Sequence, residues 1–259
     1  MRPALTVARL VLLEARRERT VGAMAGLSCV AMALIYVFSQ LALGETRRVL
    51  TDLGLGMGTL LGIPLLILVA TTLRHREETE GGLDLILARP VGRGSFLMGK
   101  FVALSCLMLL WIALTTGLVT VALLLAGGPV DGGALLQAGF LVWLKLEILA
   151  AVAILIGTLT SPMLAGFLTL AVALVGHTAG DLQGLLPLVP GAWAGEVVRG
   201  LLLALPRLDL YGVALPLALG QSVPGPLWVW ATSYAALYSA AALSLAALRM
   251  ETTDVPTWQ

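Results

Sequence analysis

Long apolar runs alternate with short polar segments along most of this chain. Runs of roughly 20 or more apolar residues occur at about 21–43, 54–73, 97–126, 135–159, 162–180 and 226–248. A helix needs about 20 such residues to cross roughly 30 Å of hydrocarbon. The pattern therefore predicts an all-α membrane protein with six transmembrane helices. Only Thr160, Ser161 and Pro162 separate the fourth run from the fifth, which predicts a tight helical hairpin.

Composition supports a membrane protein. The chain is 59% hydrophobic and 12% charged, whereas soluble domains carry about 25% charged residues. The net charge is +1, whereas a nucleic-acid binder needs a clustered basic surface, so no nucleic-acid partner is expected. Cys29 and Cys106 occur singly inside apolar runs and predict no disulfide framework.

The first 20 residues predict an interfacial helix that leads into the first span. Their apolar core is short and is interrupted by Arg9. A charged cluster around Arg16 occupies the place where a signal peptide has its small-residue cleavage site. We therefore expect residues 1–20 to form an uncleaved helix on the membrane surface.

The distribution of Lys and Arg predicts the orientation. With the N-terminus inside, 11 of these residues are cytoplasmic, four are outside and Lys145 lies in a span. The positive-inside rule then places both termini in the cytoplasm. Residues 1–259 are thus interpreted as a single multi-pass domain of the cell membrane, in contact with lipid, with a cytoplasmic segment at 74–100.

Residues 181–225 are predicted to be an extracytoplasmic region of short interfacial helices. Prolines recur throughout this region, and each removes a helix hydrogen bond, so one continuous span is excluded. The pieces between the prolines are nevertheless apolar. A seventh or re-entrant span at about 194–219 is the alternative.

Lys145 and Glu147 are the charged residues inside the predicted spans. Two residues apart on a helix, they point about 200° from each other and form no close pair. A translocation path or an interhelical salt bridge is possible, because charges in spans are costly and often functional. The favoured interpretation is that both lie toward the outer end of the fourth helix, beside Trp143, with Lys145 snorkelling.

His177 and Asp181 share one face at the predicted end of the fifth span, four residues apart. Two such side chains could belong to a metal site, but metal sites usually have three or four ligands. A hydrogen bond at the helix end is favoured, and no metal is expected.

No enzymatic motif is complete in this chain. Gly94 to Lys100 fits the first seven positions of a phosphate loop, but Phe101 replaces the required Ser or Thr. The flanking segments are also a surface helix and a membrane span rather than strands. No catalytic residue is therefore predicted, and nucleotide binding by this chain is rejected.

The cytoplasmic segment has the most distinctive pattern. Residues 77–93 read EETEGGLDLILARPVGR, and Gly99-Lys100 follows. The pattern predicts a short amphipathic helix that ends at Pro90, then a turn at Gly92 to Gly94. The segment resembles the one between spans two and three of type-2 ABC exporter permeases. In that family an acidic residue, Gly-Thr-Leu, a Leu-rich helix, Pro-Val-Ser-Arg and Gly-Lys recur in this order; Gly82 and Gly92 replace the usual Thr and Ser.

The resemblance implies a half-transporter that dimerises, as a homodimer, and seats a separate cytoplasmic ATPase. ATP and Mg²⁺ would bind in that partner, so this chain would be neither an enzyme nor a binder of any cofactor. The segment would act as a coupling helix. The residues implied to contact the ATPase are Glu77, Glu80, Leu83, Asp84, Leu87, Arg89 and Arg93.

A second stretch is similar to one branch of these permeases. Arg207-Leu-Asp209-Leu-Tyr211, after Leu205-Pro206, resembles the copper-processing permeases of nitrous-oxide reductase maturation. Two other functions stay open: an ion-coupled secondary transporter, which would use Lys145 and Glu147, and a membrane anchor without transport. The sequence does not identify a substrate.

Overall fold

The computed structural model shows a helical bundle. It describes residues 2–17, 20–41, 45–79, 93–127, 130–185, 196, 199, 200, 202, 204–213, 216 and 225–252. In chain order the elements are α1 (Arg2–Arg17), α2 (Thr20–Gln40), α3 (Thr46–Thr79), α4 (Arg93–Leu125), α5 (Gly132–Leu159), α6 (Pro162–His177), α7 (Ala179–Leu185), a 3-10 helix (Leu208–Val213) and α8 (Gly225–Thr252). No strand occurs among these residues, and the all-α prediction is confirmed for them.

Within the described ranges, five helices are long and apolar enough to cross a membrane: α2, α3, α4, α5 and α8. The fifth span is predicted at 162–180, but the helix found there is shorter. Helix α6 has 16 residues and is about 24 Å long at 1.5 Å per residue. It ends at His177 and is capped by Thr178, whose backbone N–H donates to the Leu174 carbonyl. The chain then turns into α7.

Helix α5 is the centre of the bundle. Its apolar span is 78% buried, against 28–50% for the other four, and it packs against α3, α4, α6 and α8. The Asp131 carboxylate caps its first turn by accepting the Ala134 N–H at 3.0 Å. At the other end, Thr160 and Ser161 link it to α6, whose first residue is Pro162. The predicted hairpin is confirmed.

Glycines bring α3 into close contact with α4. Gly54, Gly58 and Gly62 recur every four residues on one face of α3, so they form the small-residue pattern of closely packed membrane helices. Gly54 contacts Val119, and the Trp111 indole N–H donates to the Gly58 carbonyl at 2.8 Å. Residue numbers fall on α4 as they rise on α3, so the two helices are antiparallel.

Leucine in place of Gly62 is expected to destabilise the bundle by about 1–3 kcal/mol, the usual cost of overpacking a core. A Cβ atom there would lie 3.0 Å from Trp111 Nε1 and 3.1 Å from Leu146 Cδ1. Gly56→Leu is the matched control, because a Cβ atom at Gly56 meets nothing within 4 Å. Thermal unfolding in detergent measures both variants. Equal unfolding midpoints would contradict the packing argument.

Helix α1 packs against α4 and α2. Ala8 is buried, whereas Leu5, Leu10 and Leu13 are exposed. The predicted N-terminal helix is confirmed over Arg2–Arg17. Its position at the membrane interface stays a prediction.

The start of α4 differs from the sequence expectation. The helix begins at Arg93, so Gly94 lies in its first turn rather than in the predicted turn. The whole stretch from Gly94 to Lys100 is helical, which confirms that it is not a phosphate loop. Lys100 is buried there, with Nζ 5.0 Å from the centroid of the Phe96 ring.

Candidate functional site

The short helix α6 ends beside the middle of α5, because the two helices form a tight antiparallel hairpin. Lys145 lies about 20 Å from the start of α5 at 1.5 Å per residue. Its Nζ is 2.6 Å from Nδ1 of His177, the last residue of α6. Lys145 is only 4% exposed. The prediction that it lies near the helix end and snorkels is therefore wrong, because α6 provides a partner inside the bundle.

The contact between Lys145 and His177 restricts their protonation. An ammonium group has only donors, so Nδ1 must accept when Lys145 is charged, and the imidazole is then neutral. The pair therefore carries at most one positive charge in this geometry. His177 is at a helix end as predicted, but it pairs with a neighbouring helix, whereas Asp181 belongs to α7. Among the described residues, no group of three His, Cys, Asp or Glu side chains could hold a metal ion.

Residues 204–213, called here the docked segment, are fixed to α8 by three tyrosines. The Arg207 N–H donates to the Tyr234 hydroxyl at 2.9 Å, and Tyr238 donates to the Ala204 carbonyl at 3.0 Å. Within the segment, Tyr211 donates to the Ala231 carbonyl at 2.8 Å. Burial raises the pKa of the Tyr211 hydroxyl, so it remains a donor at physiological pH.

The docked segment also packs against α6 and α7 at two glycines. A Cβ atom at Gly176 would lie 2.6 Å from the Pro206 carbonyl oxygen, and one at Gly180 would lie 2.8 Å from Asp209 Oδ2. Leu208 is fully buried beside Gly176. A larger residue at either glycine would push the segment away from the bundle, so the close approach depends on both.

The docked segment carries two charged residues, Arg207 and Asp209, that pair with each other near the end of α6. Arg207 donates to Asp209 Oδ2 at 3.0 Å, and this bond raises the pKa of the guanidinium. The Asp209 carboxylate is near enough to act electrostatically on Lys145 and on His177. Asp209 Oδ1 and Arg207 Nε are buried without a hydrogen-bond partner in the described part of the chain. We call Lys145, His177, Arg207 and Asp209 the polar cluster.

Glu147 faces a different helix. It is 6% exposed, and its carboxyl group lies near the Ser105 side chain of α4. Its Oε1 atom has no partner within the residues that the structure covers. One turn earlier, the Trp143 indole N–H donates to the Ser105 carbonyl at 3.3 Å. The prediction that Lys145 and Glu147 do not pair is confirmed, because they contact opposite neighbours of α5.

Most of the predicted ATPase-contacting residues lie outside the described residues. These are Glu80, Leu83, Asp84, Leu87 and Arg89. Glu77 lies in the last turn of α3 and Arg93 is the first residue of α4. Because α3 and α4 are packed antiparallel neighbours, residues 80–92 connect two helix ends at the same end of the bundle.

Sequence reasoning missed the docked segment as a partner of Lys145. It also missed the glycines of α3, although their spacing is visible in the sequence. The tyrosines of α8 carry no comparable signal, because aromatic residues are common in membrane helices. Only the fold brings residues 204–213 to α6 and α8.

Comparison with protein families gives one match. The family model described as ABC-2 family transporter protein matches residues 12–180, about two thirds of the 259-residue chain. The matched region includes α3, α4, α5 and α6, and with them Lys145, Glu147 and His177. It ends before the docked segment. No curated protein matches the chain.

Proposed function

Because this chain belongs to the ABC-2 family of transporter proteins, we propose that it is an exporter permease that couples ATP hydrolysis by a separate cytoplasmic ATPase to substrate movement. The family match is the observation that carries this proposal. A second copy of the chain would complete the transporter as a homodimer. Both termini would be cytoplasmic, and the chain would lie in the cell membrane.

The ATPase would dock at the link between α3 and α4. The register of Gly54, Gly58 and Gly62 against α4 supports this, since it brings Thr79 and Arg93 to the same end of the bundle. Movement of a docked partner would then act on two helices that pack against the central α5. ATP and Mg²⁺ would bind in the partner, and this chain would have no catalytic residue.

Lys145 and Glu147 are the groups we propose for the translocation path. Both are buried in the central helix, where a charged group is costly and commonly functional. They face different neighbours, α6 and α4 respectively. The narrower assignment to the nitrous-oxide reductase maturation branch depends on residues 205–211, which lie beyond the matched region, and it stays a prediction.

Affinity purification tests this function. A tag at Gln259 would be used to isolate the chain in mild detergent, followed by identification of co-purifying cytoplasmic proteins and an ATP hydrolysis assay. We expect a Walker-motif ATPase and measurable hydrolysis. Repeated isolation of intact, monodisperse chain without any ATPase would overturn the proposal.

An ion-coupled secondary transporter is the second candidate. The observation that favours it is the buried Glu147 carboxyl group, since carboxylates inside membrane helices are typical of ion-coupled sites. Purified chain in liposomes separates the two functions. Uptake that follows an ion gradient without ATP would support the second candidate, whereas a chain inert under gradients that responds only with an ATPase supports the first.

A further inference from the structure

Helix α6 has only 16 residues, and the docked segment packs against its last turn at Gly176. The 3-10 helix within this segment contacts α5, α6 and α7. Leu208 and Tyr211 are buried there among core residues. The segment therefore lies over the Lys145 and His177 pair rather than apart from the bundle.

We propose that residues 204–213 form a latch that covers the Lys145 and His177 pair, and that Asp209 couples the position of the latch to α5. The latch is docked in this structure and opens when substrate passes. The opening step depends on the proposed transport function, whereas the docked geometry does not.

Charge compensation is the first argument for this coupling. A buried ammonium group is costly unless an opposite charge or water stabilises it. The docked segment supplies that charge as the Asp209 carboxylate. The segment packs at Gly176, next to His177, and Asp209 packs at Gly180, where its charge acts on Lys145 and His177. When the latch leaves, the Lys145 ammonium group must gain water or another anion in place of Asp209. Opening of the latch and hydration of Lys145 are therefore one event.

Incomplete hydrogen bonding is the second argument. Arg207 Nε and Asp209 Oδ1 are buried, and neither has a hydrogen bond to any residue in the described ranges. A buried polar atom without a partner destabilises the state that contains it. Both atoms would be hydrated in an open state, which favours release. The three tyrosine hydrogen bonds and buried Leu208 oppose release.

A disulfide can lock the latch. A Cβ atom at Gly180 would lie 3.8 Å from the Asp209 Cβ, the mean separation in disulfides. The test uses Gly180→Cys/Asp209→Cys in a chain whose native cysteines, Cys29 and Cys106, are replaced by serine. The matched control is Gly54→Cys/Val119→Cys, where the corresponding separation is 3.5 Å. This control joins α3 to α4, away from the latch.

The first measurement uses the purified chain alone. Hydrogen exchange of backbone amides in residues 204–213 is expected to slow at least about 10-fold when the 180–209 disulfide forms, and to recover with dithiothreitol. The control disulfide should leave exchange in this segment unchanged. If the locked and reduced chains exchange at the same rate, or if the disulfide does not form, the latch is overturned.

The second measurement uses the complex with its ATPase. Relative to the same Gly180→Cys/Asp209→Cys variant reduced with dithiothreitol, the 180–209 disulfide is expected to lower ATP hydrolysis at least about 10-fold, while the control disulfide changes it less than about twofold. Unchanged hydrolysis by a locked, intact complex would overturn the role of the latch and leave the proposed function standing. If no ATPase associates, the proposed function fails, and the hydrogen-exchange measurement alone tests whether residues 204–213 act as a latch.

Discussion

Replacing Glu80 by lysine, or Arg93 by glutamate, is expected to abolish docking of the cytoplasmic ATPase while the chain still inserts into the membrane. Both residues belong to the link between α3 and α4, where we propose that the partner docks. Reversing an interfacial charge removes an attraction and adds a repulsion. A loss of about 2–5 kcal/mol is typical for a close charge pair, which weakens binding by more than about 30-fold.

Co-purification of the ATPase and its dissociation constant measure this effect. Glu45→Lys is the matched control, because Glu45 is an exposed acid that precedes α3 at the end opposite to Thr79. The control should dock normally, and all three variants should appear in the membrane fraction. Normal docking by both the Glu80 and Arg93 variants would remove these residues from the interface.

Methionine in place of Lys145 is expected to destabilise the bundle by about 1–3 kcal/mol. It removes the group bonded to His177 Nδ1 and a positive charge that acts on the Asp209 carboxylate, which then keeps only Arg207 as its counter-charge. The effect should depend on Asp209. The double variant Lys145→Met/Asp209→Asn, which removes both charges, should recover at least about half of the loss. Unfolding of the purified chain by sodium dodecyl sulfate in mixed micelles measures the free energies.

Arg199→Met is the control for loss of a positive charge. Arg199 pairs with Glu196 at 2.9 Å, but its side chain is 59% exposed, and exposed pairs contribute about 0–1 kcal/mol. We expect this variant to unfold as the unmodified chain does. If the changes in the free energy of unfolding caused by the Lys145 and Asp209 substitutions simply add in the double variant, the two side chains do not interact.

The helical elements could be predicted because membrane helices have a strong local signal. About 20 apolar residues in succession satisfy the backbone hydrogen bonds internally and match the thickness of hydrocarbon. The hairpin between α5 and α6 was likewise readable from Pro162, which cannot continue a helix from the preceding turn. These features depend on neighbouring residues alone.

The end of α6 was not predictable in the same way. Ala179 and Gly180 continue the apolar run beyond His177, so hydropathy extends the span to residue 180. In the structure the helix ends at His177, next to the position where the docked segment packs at Gly176. The contact joins residues about 30 positions apart, and no local pattern contains it.

The candidate site was predicted only in part. The sequence identified Lys145 and Glu147 as buried charges and their spacing as one that keeps them apart. It did not identify His177 or Asp209 as partners of Lys145, and it placed Lys145 near a helix end. A lysine with a hydrogen-bond partner on another helix can stay buried in the bundle, because its amino group no longer has to reach water at the membrane surface.

The sequence by itself determined that this protein is a helical membrane protein, which residues carry charge within its spans, and where the segment resembling a coupling helix lies. Local hydropathy and spacing are enough for these conclusions. The tertiary structure alone decided that α5 is central, that α3 and α4 are held together through glycines, and that residues 204–213 pack against α6, α7 and α8. Those arrangements depend on packing between residues far apart in the chain, where the shapes and charges of two surfaces must match at once.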